Sequence, residues 1–134
     1  MGYYLKMYFA TLISFFVIDM IWLVFIARGL YKKELGFIMA DKVNWLAAMI
    51  FYLIFIAGLV YFVVNPAIIA NDWSMALRVG IIFGFITYST YDLTNLATLA
   101  NWPVKITIID IIWGSVLGGG VSTLSFFILK KLGL

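Results

Sequence analysis

Of the chain's 134 residues, 66% are hydrophobic and only 11% are charged, whereas soluble domains hold roughly 25% charged residues, so a water-soluble globular fold is excluded. The formal net charge of +3 comes from basic residues scattered at predicted helix ends rather than clustered on one face, which excludes a nucleic-acid-binding surface. Without cysteine or histidine, the usual ligand sets of zinc, haem and di-iron centres are missing, and we expect no metal and no cofactor.

Four apolar segments each reach the roughly 18 to 20 residues that a helix needs to cross the hydrocarbon core of a membrane. Together they fill most of the chain and leave only short connections. We therefore predict an all-α fold, a four-transmembrane-helix bundle that forms a single membrane domain over residues 1–134 and has the lipid bilayer as its solvent. The predicted helices are Met7–Ala27, Trp45–Val64, Leu77–Ala100 and Val104–Leu129.

Prolines and aromatic side chains mark the predicted helix ends. Asn65-Pro66 is expected to end the second helix, and Pro103 is expected in the first turn of the fourth, where a missing N–H costs nothing. Trp45 and Trp102 are predicted to lie in the aromatic belt at one membrane–water interface. The Arg28–Asn44 segment mixes charged with apolar residues, which predicts a short helix lying along that interface.

Charges at the helix ends leave the orientation open. The side that holds Arg28–Asn44 and the Asn101 turn is here called the loop side. The opposite side, here called the terminal side, holds both chain termini and the predicted Asn65–Ala76 loop. The loop side carries about five Lys and Arg residues, and the terminal side about four plus the α-amine. This balance of charges is compatible with a single orientation in the membrane that the charges specify only weakly. It also fits insertion in both orientations and pairing of the copies as an antiparallel homodimer.

Three aspartates lie inside the predicted spans, where a charged acid costs roughly 2.5 to 3.5 kcal/mol at the bilayer centre. Asp19 and Asp92 each stand about eight residues before the end of a helix, and Asp110 about six after the start of one, at a rise of about 1.5 Å per residue. All three are therefore expected at roughly 10 Å below the loop-side face, and Tyr52 reaches the same level. Each helix thus contributes to one polar layer.

Helical spacing extends this layer into a site. An Asp-x-x-Trp pattern occurs in the first and fourth helices, and the i, i+3 spacing is expected to stack each indole beside its carboxyl group. Polar and aromatic residues follow the same periodicity on the third helix. The predicted proton- or ligand-binding residues are Asp19, Asp92, Asp110, Asn95, Tyr52, Tyr88, Tyr91, Trp22 and Trp113.

Glycines predict where two helices pack. Gly80 with Gly84, and Gly114 with Gly118, are small-xxx-small pairs, which allow backbones to approach closely. We expect the third and fourth helices to meet there. The Gly118–Gly120 run leaves open a kink or an unwound turn.

Several of these segments resemble an uncharacterised family of small bacterial membrane proteins, domain of unknown function 2177. The residues that carry the resemblance are the two Asp-x-x-Trp segments, Tyr88–Leu96, the following Trp102-Pro103 and Asp110–Gly114. It extends over nearly the whole chain. The resemblance implies a multi-pass protein of the bacterial inner membrane and assigns no activity.

Three functions fit these patterns. The leading hypothesis is proton-linked transport or binding of a small hydrophobic or cationic molecule, with acids that exchange protons and aromatic rings as pocket walls. The second is a lipid- or isoprenoid-modifying enzyme in which the acids donate a proton or hold Mg²⁺ or Ca²⁺, although no nucleophile, histidine base or phosphate-binding loop is recognisable. The third is a non-catalytic assembly partner that uses its glycine faces to bind other membrane proteins, with acids that serve only as interhelical hydrogen-bonding groups.

Overall fold

The structure, a computed structural model, describes residues 2–134, and these residues form four helices without a strand. The prediction of an all-α chain with four helices is confirmed, but the helix bounds differ from the predicted ones. The first helix is longer at both ends, the second continues further, and the third begins earlier. The helices are α1 (Gly2–Leu35), α2 (Trp45–Ala70), α3 (Trp73–Thr98) and α4 (Val104–Lys131).

Three of these helices are long and apolar enough to cross a membrane. By length and composition they are α1, α2 and α4. Helix α3 is less apolar, because its second half carries the polar Tyr88–Asn95 segment. Large apolar side chains point away from the bundle, among them Phe25 and Ile69, which are 79% and 73% exposed. Exposed apolar surface of this extent matches a lipid environment rather than water.

Helix α1 continues far beyond its predicted end. A π-helical turn at Leu23–Ala27 leads into Arg28–Leu35, which we call the α1 extension. The predicted interfacial helix over Arg28–Asn44 is therefore wrong, because this part of the segment prolongs α1 and packs against the start of α4. Buried Leu35 clusters with Trp102 and Ile106.

Helix α2 also passes its predicted end. The prediction that Asn65-Pro66 terminates it is wrong, since the helix runs on to Ala70. A π-helical turn at Val60–Val64 ends two residues before the proline. The wider turn accommodates the ring and the missing N–H that would disrupt a regular α-helix. Helix α2 ends at Asn71, whose left-handed backbone (φ 51°, ψ 40°) lets its N–H donate to carbonyl groups of the last turn.

The connection between α2 and α3 consists of Asn71 and Asp72 alone, in place of the expected Asn65–Ala76 loop. Asp72 is the N-cap of α3, and its Oδ1 accepts hydrogen bonds from the Ser74 N–H at 2.8 Å and the Ser74 hydroxyl at 2.7 Å. The hydroxyl bond is the main reason why the pKa of the Asp72 carboxyl lies below its ordinary value of 3.8. The cap therefore favours the charged acid.

Removal of this cap is expected to destabilise the protein. Asp72→Ala loses both hydrogen bonds and should unfold at a lower temperature than the wild type at pH 7, whereas Asp72→Asn keeps a capping oxygen and should fall between the two. Because the folded-state pKa is lowered, the charge stabilises the fold above the unfolded pKa of 3.8 and ceases to do so as pH falls through the folded value. Thermal melting in detergent at pH 7 and pH 3 measures both effects. Identical melting of wild type and Asp72→Ala at pH 7 would contradict the capping role.

The bundle is built on the close contact between α3 and α4, while α1 packs mainly on α4. The glycines permit this approach, since a Cβ at Gly80 would lie 2.5 Å from the Gly118 carbonyl oxygen and one at Gly84 would overlap the Gly114 carbonyl. Helix α4 is unbroken through Gly118–Gly120, so the kink or unwound turn is not formed. The Gly84–Gly114 contact lies about one helical turn from Asp110 on α4, and the Gly80–Gly118 contact about two turns.

Candidate functional site

Asp110 is buried on α4 and accepts a hydrogen bond from the Tyr31 hydroxyl of the α1 extension. Tyr31 was not among the predicted site residues, because its segment was predicted to lie along the membrane interface and not against α4. The signal that could have found it is the i, i+4 spacing of Ala27, Tyr31 and Leu35, which continues the inward face of α1. The extension thus brings a phenol to the acid from outside the predicted helices.

Asp92 is fully buried on α3, at 0% exposure. Among residues 2–134 its carboxyl oxygens have no hydrogen-bond donor other than a proton shared with the neighbouring Asp110 carboxyl. The nearby charged group that acts on it is the carboxyl of Asp110. Within the described chain, neither acid takes part in an ion pair. Asp92 and Asp110 therefore form a buried acid pair without a basic partner.

Asp19 is joined to this pair through Tyr88. The Tyr88 phenol interacts electrostatically with all three aspartates and with Tyr52. Its ring lies against Gly114, where a Cβ would overlap it, so the glycine makes room for the tyrosine. The three aspartates therefore do not lie in one layer. Asp92 and Asp110 form a pair, and Asp19 lies apart from it, because α1 does not run in register with α3 and α4.

The positions of the three aspartates test the hypothesis of a metal-dependent enzyme. No group of three or more acidic side chains within residues 2–134 is arranged to hold a metal ion. The pair alone would supply two carboxylates, whereas Ca²⁺ takes six to eight oxygen ligands and Mg²⁺ needs octahedral geometry. The three aspartates therefore do not form the oxygen cage that this hypothesis requires.

The two Asp-x-x-Trp segments meet across the α1–α4 interface. Trp22 and Trp113 stack face to face, with ring centroids 4.4 Å apart and planes inclined by 7°. Each indole was expected to stack beside the carboxyl of its own helix, but the stacking partner is the other indole. The ring pair forms a rigid apolar wall next to Asp19.

Two adjoining cavities surround these groups. The larger, which we call the aromatic cavity, has a volume of about 340 Å³ and is lined by Phe51, Phe55, Thr87, Tyr88, Tyr91 and Asp110. The smaller, the tryptophan cavity, has a volume of about 150 Å³ and is lined by Phe15, Asp19, Trp22, Leu23, Tyr31, Phe51, Tyr52, Tyr88 and Trp113. Phe51 and Tyr88 belong to both linings, and neither lining contains Lys or Arg.

The remaining predicted residues are placed as follows. Tyr91 lines the aromatic cavity and packs edge-on against Trp102, with ring centroids 5.8 Å apart. Asn95 is half-buried one turn further along α3 and is not part of either lining. Trp102 was predicted at the membrane interface, but it is buried beneath the α1 extension, and its Nε1 donates to Thr107 Oγ1 at 3.1 Å. That prediction is wrong because the extension was not foreseen.

The chemistry of the site follows from its charges. The cavity walls are aromatic and carry carboxyl and phenol groups, and none of the three aspartates forms an ion pair within residues 2–134. Aromatic faces attract cations, and an unneutralised acid does so more strongly in a low-dielectric interior. The arrangement is suited to holding a proton or a cation rather than an anion.

The sequence profile of one family matches nearly the whole chain. Its description is "Predicted membrane protein (DUF2177)", and the match extends over residues 4–127, which include every residue of the site. The resemblance seen in the Asp-x-x-Trp and Tyr88–Leu96 segments is thereby confirmed. No curated protein and no solved structure matches the chain.

Proposed function

This chain belongs to the DUF2177 family of predicted membrane proteins, and we propose that it binds a small hydrophobic cation in exchange for a proton, as a proton-linked carrier does. The bacterial inner membrane, which the family resemblance implies, is part of the same proposal. Three helices of membrane-spanning length support the membrane setting.

The observation that carries the proposal is the buried pair of Asp92 and Asp110. Two neighbouring carboxylates repel each other in a low-dielectric interior, and sharing one proton relieves that repulsion. A cation that enters the site supplies the missing positive charge and makes the proton dispensable. Binding of the cation and release of the proton are then one coupled equilibrium.

The aromatic cavity supports both the size and the charge of the ligand. Its volume of about 340 Å³ lies at the lower end of the range for small-molecule sites, roughly 300 to 1,000 Å³. Phe51, Phe55, Tyr88 and Tyr91 offer ring faces, and Asp110 is the acid in the lining. A compact cation with an apolar body satisfies both requirements.

The two alternatives have less support. An assembly partner would need free glycine faces, but Gly80, Gly84 and Gly118 are occupied by contacts between α3 and α4, and Gly114 by Tyr88. The metal-dependent version of the enzyme has less support because the acids do not form a metal cage. Ordinary interhelical hydrogen bonds account poorly for Asp92, because its partner within residues 2–134 is another acid and the bond exists only while the pair keeps a proton.

The proposal is tested with benzyltrimethylammonium and its neutral isostere neopentylbenzene. Both are titrated into the detergent-solubilised protein, and binding is followed by the combined fluorescence of its five tryptophans, two of which, Trp22 and Trp113, line the adjoining tryptophan cavity. We expect the cation to bind at least 10-fold more tightly than the isostere, a difference of about 1.4 kcal/mol. Asp110→Asn should remove this preference.

The matched control is Asp41→Asn, which neutralises an exposed acid in the connection between α1 and α2. It should bind the cation as the wild type does. If a folded Asp110→Asn retains the full preference for the cation, or if the wild type does not discriminate between the two compounds, the proposed function is wrong.

A further inference from the structure

We infer that the ligand enters sideways from the lipid, between α2 and α3, and is a membrane amphiphile with an ammonium head on a single alkyl chain. This inference rests on the proposed function and adds the route and the substrate class. It depends on which faces of the site are closed and which one is open.

The loop-side face is closed by the α1 extension. Tyr31 is hydrogen-bonded to Asp110, and Lys105 Nζ lies 3.3 Å from Glu34 Oε1. Leu35 is buried with Trp102 in the same contact. The extension thus covers the acid pair on the side from which water would come.

The terminal-side face is closed by packed apolar side chains. Ile56, Leu59 and Val63 of α2 form a cluster with Leu117 and Val121 of α4, and all five are fully buried. The polar side chains buried in that half of α1 and α4 are uncharged hydroxyl groups, those of Thr11, Ser14, Ser122 and Ser125. A path from the terminal side would require the core of the bundle to separate.

The face between α2 and α3 is open. Backbone contact between these helices is concentrated at Val60–Ala70, while the Trp45–Leu59 part of α2 is further from α3. In that part they meet through aromatic side chains, such as Phe55 and Tyr88, whose ring centroids are 6.4 Å apart. The aromatic cavity lies in this gap, and its rim residues Phe51 and Tyr91 are 50% and 57% exposed. In a bilayer these surfaces face acyl chains.

The composition of the gap defines the ligand. Asp110 is the charged group in the lining of the aromatic cavity, so a cationic head is held there, while the other walls are almost entirely apolar. The cavity accommodates the head and the first methylene groups. The rest of an alkyl chain can lie along the exposed apolar side chains of α2, including Leu53 and Ile54, where it remains in contact with lipid.

The absence of cysteine from the sequence allows a test with single thiols. Thr87→Cys puts a thiol into the lining of the aromatic cavity, and Thr90→Cys puts one on the exposed face of the same helix. Both threonines donate to the carbonyl four residues earlier, so the two substitutions are matched. Asp41→Cys, in the exposed connection between α1 and α2, is the control for access from water. Each variant is reconstituted into bilayer nanodiscs and treated with a lipid-soluble maleimide or with a charged thiosulfonate.

We expect Thr87→Cys to react at least 10-fold faster with the lipid-soluble reagent than with the charged one, and Asp41→Cys to react readily with the charged one. Dodecyltrimethylammonium should protect Thr87→Cys and leave Thr90→Cys unprotected. Ethyltrimethylammonium, with nearly the same head and almost no chain, should protect at least 10-fold less well.

Faster reaction of Thr87→Cys with the charged reagent, or equal protection by the two ammonium compounds, would overturn lateral entry. If lateral entry is overturned but benzyltrimethylammonium still binds in a way that depends on Asp110, the proposed function stands. If no ammonium compound binds, both lateral entry and the proposed function are wrong.

Discussion

Asp92→Leu is expected to stabilise the folded bundle while abolishing cation-linked proton release. The Asp92 carboxyl is fully buried, and its hydrogen-bonding neighbour among residues 2–134 is another acid, Asp110. Burying a carboxyl group that has neither a basic partner nor a neutral donor costs about 1–3 kcal/mol. A leucine, whose side chain has the same number and branching of heavy atoms, removes that cost. Unfolding of the detergent-solubilised protein by SDS titration measures the change in stability.

The matched variant is Asp92→Asn, which keeps a buried polar group and removes only the acid. It should also fail to release protons, yet should gain little or no stability. A structural acid would behave in the opposite way, since its removal would break interhelical hydrogen bonds. A loss of more than about 1 kcal/mol of stability in Asp92→Leu would exclude a purely functional role for this residue.

Gly84→Ala is expected to cause the second large effect, a loss of about 1–3 kcal/mol of stability from overpacking. Its Cβ would overlap the backbone carbonyl of Gly114, and a backbone cannot yield as a flexible side chain can. The helices would have to separate about one turn from Asp110, so ligand binding should weaken as well. SDS unfolding and benzyltrimethylammonium titration of one preparation measure both consequences.

Gly29→Ala is the control for the Gly84 substitution. It lies in the α1 extension with no atom within 4 Å of a built Cβ, so alanine should stabilise the helix there by roughly 0.5–1 kcal/mol. If both substitutions change stability by similar amounts, helix propensity rather than interhelical contact governs Gly84.

Much of the fold could be predicted because lipid imposes simple rules on the sequence. A spanning helix must be apolar over a fixed length, which identified four segments and their order along the chain. The glycine spacing indicated which two helices meet. Acids inside apolar segments are costly enough to mark a site, and the structure brings Asp92 and Asp110 into interaction.

The rest could not be predicted because the same rules say little about where a helix stops. Arg28 looked like the end of the first span, but charge ends a membrane segment and not necessarily a helix. Pro66 looked like the end of the second, but the π-helical turn before it tolerates the missing N–H. Tyr31 and the burial of Trp102 both depend on the α1 extension and were missed for that reason.

The depth of Asp19 illustrates a further limit. Counting residues from a helix end assumes straight helices that cross the membrane in parallel, at about 1.5 Å per residue. The stack of Trp22 on Trp113 places Asp19 about one turn beyond Trp113 on the antiparallel α4, which is nearly two turns from Asp110. The π-helical turn between Asp19 and the end of α1 also changes the rise per residue, and the sequence carries no signal for it.

Proton release on ligand binding is the decisive measurement. Benzyltrimethylammonium is added to the detergent-solubilised protein in unbuffered solution near pH 7, and protons are followed with an indicator dye. The acid pair predicts release of about one proton per bound cation, retained in Asp41→Asn and lost in both Asp92→Asn and Asp110→Asn. Binding of the cation by the wild type without any proton release would contradict proton-linked binding at the Asp92–Asp110 pair.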